Sequence, residues 1–124
     1  MAEVSKLFVY GTLMPGRLRW PILAPFANGH RPTTVSGQLY DSGNGWPVAV
    51  FGVDGEVPGV LVELDPELVD VALPVLDDVE DTATDTLQRI EVTTLDGVRT
   101  WAYHFAHSAE GFEPIERWAD QPER

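Results

Sequence analysis

The sequence predicts an α+β fold: a small, largely antiparallel β-barrel of about six strands, with short helices packed outside. Six segments rich in β-branched and aromatic residues alternate with turn residues along the chain. The one long stretch with apolar residues at helical spacing follows Asp65. At 124 residues the chain suits a single domain, 1–124, that buries a real core.

The first strand is Leu7, Phe8, Val9 and Tyr10, which fit a pleated, half-buried surface. Gly11 then permits a sharp turn, or the close approach of a ligand to the backbone. Pro15-Gly16 closes the segment as turn punctuation. A strand ending in a glycine loop can present several backbone N–H groups as an anion nest. The alternative is a buried strand followed by an ordinary loop. Leu18 to Ala27 holds one short helix, broken by Pro21 and Pro25. Arg17 and Arg19 add positive charge near the glycine loop, either to attract an anionic substrate or as solvated surface groups.

Asn28-Gly29 reads as a turn. Thr33 to Tyr40 is the second strand, and Gly37 inside it suggests a bulge or a close backbone approach. Asp41 to Gly45 is a turn-rich loop. Trp46 to Phe51 is the third strand, with Pro47 suited to its first positions or to an edge. Asp54-Gly55 makes a hairpin turn into the fourth strand, Val57 to Leu64.

Asp65-Pro66 reads as a helix start, with Asp as N-cap and Pro at the first helical position. Val69, Leu73, Leu76 and Glu80 fall on one stripe if the helix is continuous. Pro74 removes a backbone donor, which predicts a kink or two short helices. Asp77, Asp78 and Asp81 fall off the stripe and are expected in solvent. Asp81 to Thr86 is a polar loop. Leu87 to Thr94 is the fifth strand, with Arg89 and Glu91 opposite Ile90 and Val92. Leu95-Asp96-Gly97 turns into the sixth strand, Val98 to Phe105, where Trp101, Tyr103 and Phe105 share a face. The tail from Ala106 is expected to pack on the body as a cover.

Net charge is −12, from 20 acidic against 8 basic residues, and Lys6 is the single lysine. Phosphate binding needs Lys and Arg clusters, so nucleic acid is not expected as a partner. Nothing approaches the roughly 18 uninterrupted apolar residues of a membrane span. The first residues lack a basic region followed by an apolar run, so a cytoplasmic protein is expected. With 0 cysteines there is no thiolate nucleophile, disulfide or Cys-metal site. His104 and His107 would face opposite sides of an extended segment, which argues against a metal there. Asp77, Asp78, Glu80, Asp81 and Asp85 form an acidic cluster without EF-hand spacing. No serine or histidine sits in a G-x-S-x-G nucleophile motif.

Glu80 is the strongest chemical candidate. A carboxylate on the inner stripe of a helix is costly unless it is paired or useful. Burial would raise its pKa and suit it to proton transfer near neutral pH. Periodicity leaves open the other position, at the helix end facing water.

The run Tyr10-Gly11-Thr12-Leu13-Met14-Pro15-Gly16 resembles the YG[ST]L signature of the γ-glutamylcyclotransferase-like superfamily, which includes AIG2-like and γ-glutamylamine cyclotransferase-like proteins. Further matches follow in order. They are G-Q-L-Y at Gly37 to Tyr40 with a glycine loop and Trp46-Pro47, then V-P-G-V-L-V-E-L at Val57 to Leu64. V-L-D-D-V-E, ending at Glu80, resembles L-D-x-x-E, and Arg89 matches the arginine of Y-x-R. The resemblance runs from Leu7 to about Phe105. The chain departs from the pattern at Asp81, where the family usually has Gly, and at Leu87, where it has Tyr.

The resemblance implies the barrel architecture and an intramolecular aminolysis. The α-amine of a small γ-glutamyl compound attacks its own γ-carbonyl, closing 5-oxoproline and releasing an amine or amino acid. It places the general acid/base role on Glu80, and the substrate's α-carboxylate on the backbone around Tyr10, Gly11, Thr12 and Leu13. No cofactor or metal is implied. The alternatives are a catalytically silent relative that binds a metabolite or protein partner in the same cavity, and an enzyme for another γ-glutamyl substrate.

Overall fold

The computed structural model describes residues 4–11, 13–17, 19–43, 47–80, 87–105, 107 and 109–116. Within them lie the strands β1 (Lys6–Val9), β2 (Ala27–Asp41), β3 (Pro47–Leu64), β4 (Leu87–Thr93), β5 (Arg99–Phe105) and β6 (Glu113–Ile115). Two helices, α1 (Trp20–Leu23) and α2 (Val69–Val79), complete the α+β arrangement, and a 3₁₀ turn, Ala24–Phe26, follows α1. The strands form one mixed sheet in the order β4-β5-β1-β3-β2-β6. Its pairs are antiparallel except β1 with β5, which are parallel.

β1 sits near the middle of the sheet, and both of its faces are covered. Leu7 and Phe8 are 0% exposed, and Val9 is buried as well. A strand with two buried faces reads as an unbroken apolar run rather than an alternating one. Leu7 and Val9 enter the cluster formed with the helix residues Val69, Leu73 and Leu76. Phe8 enters a second cluster with Tyr10, Leu39, Phe51 and Ala102. Period-two alternation thus sends neighbouring residues of one strand into two separate cores.

The sheet rolls up around the second cluster without closing into a barrel, which corrects the expected architecture. Strand order puts β4 and β2 far apart, yet the residue after β4, Thr94, bridges Val35 of β2. Leu95 N–H also donates to Thr34 C=O at 2.9 Å. Asp96 latches the same turn, paired with Arg31 at 3.0 Å and accepting from Thr33 Oγ1 at 3.2 Å. A single bridge is not a strand-long ladder, and closure needs strand tilt and register to match around the whole sheet.

The expected third and fourth strands are one strand, β3. Gly37 pairs with Phe51, and the adjacent Ser36 pairs with Glu56, so residues 52–55 lie outside the ladder with β2. Asp54-Gly55 is therefore part of a bulge and not a hairpin turn. Both features call for positive φ, which Gly52 (84°) and Gly55 (119°) supply. Gly37 sits at this register shift, as expected of it. A Cβ there would meet Val50 O at 2.5 Å. Asn28-Gly29 also lies within a strand, at an irregularity where β2 begins to pair with the end of β3.

Helix α2 starts at Val69, later than the sequence suggests. Asp65 caps a preceding turn instead, its Oδ1 accepting from Glu67 N–H at 3.0 Å and its C=O from Leu68 N–H at 2.9 Å. The helix runs continuously through Pro74, neither broken nor divided in two. Pro74 and Asp70, whose carbonyl it leaves without a helical donor, are both exposed, so water can take the freed group. The buried stripe is Val69, Ala72, Leu73 and Leu76. Among the described residues no helix is long and apolar enough to cross a membrane. Part of the tail adds β6 to the edge of β2 at Leu39, Tyr40 and Asp41.

Candidate active site

The stripe that buries Leu73 and Leu76 continues one turn further, to Glu80. This residue ends α2, its N–H donating to Leu76 C=O at 2.9 Å. Its side chain is only 16% exposed. The chain from β1 reaches it through successive tight turns. Met14 N–H donates to Gly11 C=O at 3.0 Å, Arg17 N–H to Met14 C=O at 3.0 Å, and Trp20 N–H to Arg17 C=O at 3.2 Å. Gly16, with φ of 83°, supplies the left-handed residue.

These turns deliver Arg19 to the end of α2. Its Nη1 lies 3.4 Å from Glu80 Oε2 and donates to Val79 C=O at 3.3 Å. A cation beside the last carbonyls of a helix offsets the negative end of the helix dipole. Burial pushes the Glu80 carboxyl above its ordinary pKa, and the Arg19 charge and hydrogen bond act in the opposite direction. Of the two arginines near the glycine loop, Arg19 is thus an ion-pair partner of the candidate base.

Tyr10 follows β1 directly and is buried. Its hydroxyl donates to Tyr103 C=O at 2.7 Å, tying the start of the glycine loop to β5. Burial raises its pKa strongly, and the nearby Glu80 charge raises it further. Tyr103 is raised by burial, by its bond to Asp77, and by the charges of Asp77 and Glu80. The field of Glu80 thus reaches both phenols, and both stay protonated. Tyr10 thus lies within the electrostatic reach of Glu80. Leu13 is also buried, in the cluster beneath α2. Thr12 and Asp81 lie outside the described residues. Leu87, which stands where the superfamily has Tyr, is a buried core residue paired with Phe105.

Asp77 does not point into solvent as expected. Its carboxylate accepts two bonds from one guanidinium, Arg89 Nε to Oδ1 at 2.8 Å and Arg89 Nη2 to Oδ2 at 3.1 Å. Tyr103 Oη donates to Oδ1 at 2.8 Å. Arg89 in turn lies over the Trp101 ring, 4.5 Å from its centroid. Periodicity missed this because a carboxylate beside the apolar stripe can still reach the sheet when a long partner comes to meet it. The available signal was the exposed-face pattern of β4, which sets Arg89 against the aromatic face of β5. Asp78, in contrast, is exposed as expected.

Gly11 is needed for close packing. A Cβ there would lie 2.8 Å from Pro47 Cγ and 2.9 Å from Pro47 Cδ. The space next to this glycine is filled by the chain's own proline at the start of β3, and a proline ring cannot swing away. Gly11→Ala is expected to lower stability by about 1–3 kcal/mol, the scale of overpacking. Thermal melts of Gly11→Ala, Pro47→Ala and the double variant check this. Full additivity of the two substitutions would mean that the contact is unimportant.

His104 is spent on structure: its Nδ1 accepts from Phe51 N–H at 3.2 Å, and burial lowers its pKa, so the neutral ring holds β5 against β3. Among the described residues, no group of three or more His, Cys, Asp or Glu side chains could hold a metal ion. A surface groove of about 570 Å³ is lined by Gln38, Glu56 and Ile115, among others, and includes none of the Glu80 group.

A family model described as gamma-glutamyl cyclotransferase, AIG2-like, matches residues 7–120. No curated protein matches the chain in sequence. Several solved structures share its fold. An AIG2-like protein from Mus musculus is 22% identical with a TM-score of 0.70, covering 94% of this chain and 88% of its own. An uncharacterised protein from Pyrococcus horikoshii is 23% identical with a TM-score of 0.66, covering 92% and 86%. Protein ytfP from Escherichia coli is 26% identical with a TM-score of 0.62, covering 95% and 99%.

Proposed function

The chain belongs to the AIG2-like γ-glutamyl cyclotransferase family, and from that membership we propose that it converts a small γ-glutamyl compound to 5-oxoproline in the cytoplasm. The observation that carries this reading is Glu80, a carboxylate 16% exposed at the end of the apolar stripe of α2, beside Arg19 and within the electrostatic reach of Tyr10. A buried carboxylate with an adjustable charge is what proton transfer near neutral pH requires.

In this mechanism the substrate's α-carboxylate rests on the backbone of the glycine loop, from Tyr10 to Leu13. The α-ammonium gives a proton to Glu80, and its nitrogen attacks the γ-carbonyl carbon. The new C–N bond closes the five-membered lactam as the old C–N bond breaks. Glu80 passes protons from the attacking nitrogen to the leaving one, so the amine departs protonated and the carboxylate is restored. Folding the substrate so that its two ends meet supplies much of the acceleration. Tyr10 and Tyr103 contribute rigidity, since their hydroxyls are committed to Tyr103 C=O and Asp77.

Purified protein incubated with a panel of γ-glutamyl dipeptides and γ-glutamyl amines should release 5-oxoproline, detected by mass spectrometry. A folded protein silent toward the whole panel would leave the alternative of a binding relative.

The raised pKa of Glu80 also has a consequence for stability. A carboxyl whose folded pKa lies above its unfolded value contributes stability that is fully present below the unfolded pKa. That contribution is lost as pH rises through the folded value. Glu80→Gln is therefore expected to melt higher than the wild type at pH 7 to 8, with the difference vanishing below about pH 4, near the unfolded value. Melts of both proteins across this range check the sign. A variant less stable at pH 7 than at pH 4, relative to wild type, would show that Arg19 outweighs burial.

A further inference from the structure

We propose that Arg19 is a specificity residue that binds a carboxylate on the leaving amine, so that the preferred substrates are γ-glutamyl amino acids rather than γ-glutamyl derivatives of uncharged amines. The inference rests on the reading of Glu80 as the group that protonates the leaving nitrogen.

The geometry is as follows. A general acid must lie within hydrogen-bond reach of the atom it protonates, which places the leaving nitrogen against the Glu80 carboxylate. In an α-amino acid the carboxylate carbon is two bonds from that nitrogen. Arg19 Nη1 is 3.4 Å from Glu80 Oε2, so a carboxylate attached there falls within reach of the guanidinium.

Arg19 and Arg89 differ in how firmly they are held. Arg89 grips Asp77 with two bonds from two nitrogens, at 2.8 and 3.1 Å, and lies against Trp101. Arg19 reaches both Glu80 and Val79 C=O through one nitrogen, at 3.4 and 3.3 Å, and its side chain is 41% exposed. Such long contacts are weak and are readily exchanged for a better acceptor. A planar guanidinium is suited to receive a carboxylate in a fork. The chain carries a net charge of −12, which opposes an anionic ligand in general. A guanidinium at the Glu80 carboxylate offsets that repulsion where it matters.

The test compares γ-glutamylalanine with γ-glutamylethylamine, which differ only in the carboxylate of the leaving group. Wild-type protein should favour the alanine compound in kcat/KM by about 10- to 100-fold, the scale of a charge-assisted hydrogen bond. Arg19→Gln should collapse that ratio by at least about 10-fold, mostly through KM, and Arg19→Lys should restore part of it. The ratio is the informative quantity, because loss of the Glu80 partner affects both substrates alike. An unchanged ratio in Arg19→Gln, or a wild-type preference for the ethylamine compound, overturns the proposal. If folded wild-type protein turns over neither compound, the cyclotransferase reading fails separately. Calorimetric binding of the two compounds then decides the Arg19 contact, with tighter binding of the alanine compound supporting it and equal affinities overturning it.

Discussion

Glu80→Gln should lose roughly 10²–10⁴-fold in turnover, the usual scale for removing a general acid–base group. The substitution keeps the shape of the side chain and an oxygen that can still accept from Arg19, so the end of α2 keeps its structure. Substrate binding should persist, because in the proposed mechanism the backbone of the glycine loop, and not Glu80, holds the α-carboxylate. Asp78→Asn is the control, since Asp78 lies in the same helical turn but is exposed. Asp77 would be a poor control, given its bonds to Arg89 and Tyr103. Steady-state 5-oxoproline release, with melts to confirm folding, makes the measurement. Near-wild-type turnover in a folded Glu80→Gln would reduce the family relationship to one of fold.

Asp77→Ala should lower stability by about 2–3 kcal/mol, less than a fully buried pair would cost, because roughly a quarter of each partner is exposed. The loss has two sources. The Arg89 guanidinium, held against Trp101, is left without the carboxylate it forks, and the Tyr103 hydroxyl loses its acceptor. Against a typical total of about 5–15 kcal/mol this is a large share. It corresponds to a Tm drop of roughly 5–15 °C for a domain of this size. Asp77→Asn keeps an acceptor for Tyr103 and should lose less. Arg89→Lys retains the charge but cannot form the fork, so it should fall between wild type and Asp77→Ala. A melt of Asp77→Ala within a degree of wild type would show that the network is idle. Since Glu80 lies one turn beyond Asp77 on the same helix, turnover should fall along with stability.

The local elements were legible in the amino-acid order. Apolar runs and alternation located β1, β4 and β5, and the spacing of Val69, Leu73 and Leu76 located the buried face of α2. It also aligned Glu80 with that stripe if the helix is continuous, because a helix repeats its faces every three to four residues, but it left open whether the carboxylate faces inward or water. Motif order supplied the family and drew Tyr10 and Glu80 into one proposed site. What the sequence left open were features decided by partners far along the chain. An Asp-Gly pair states that φ must be positive, but β2 decides whether that position is a hairpin or a bulge. A proline in a helix removes one donor, and its exposed position on α2 decides that the helix continues. Asp77 became an anchor because Arg89 and Tyr103, 12 and 26 residues away, converge on it. Gly11 became a packing requirement because Pro47 lies against it. Whether the sheet closes depends on register summed over every strand, and among the described residues its two sides meet at one bridge, Val35 with Thr94. Local chemistry sets what each residue can do, and only the tertiary structure sets which residue it does it with.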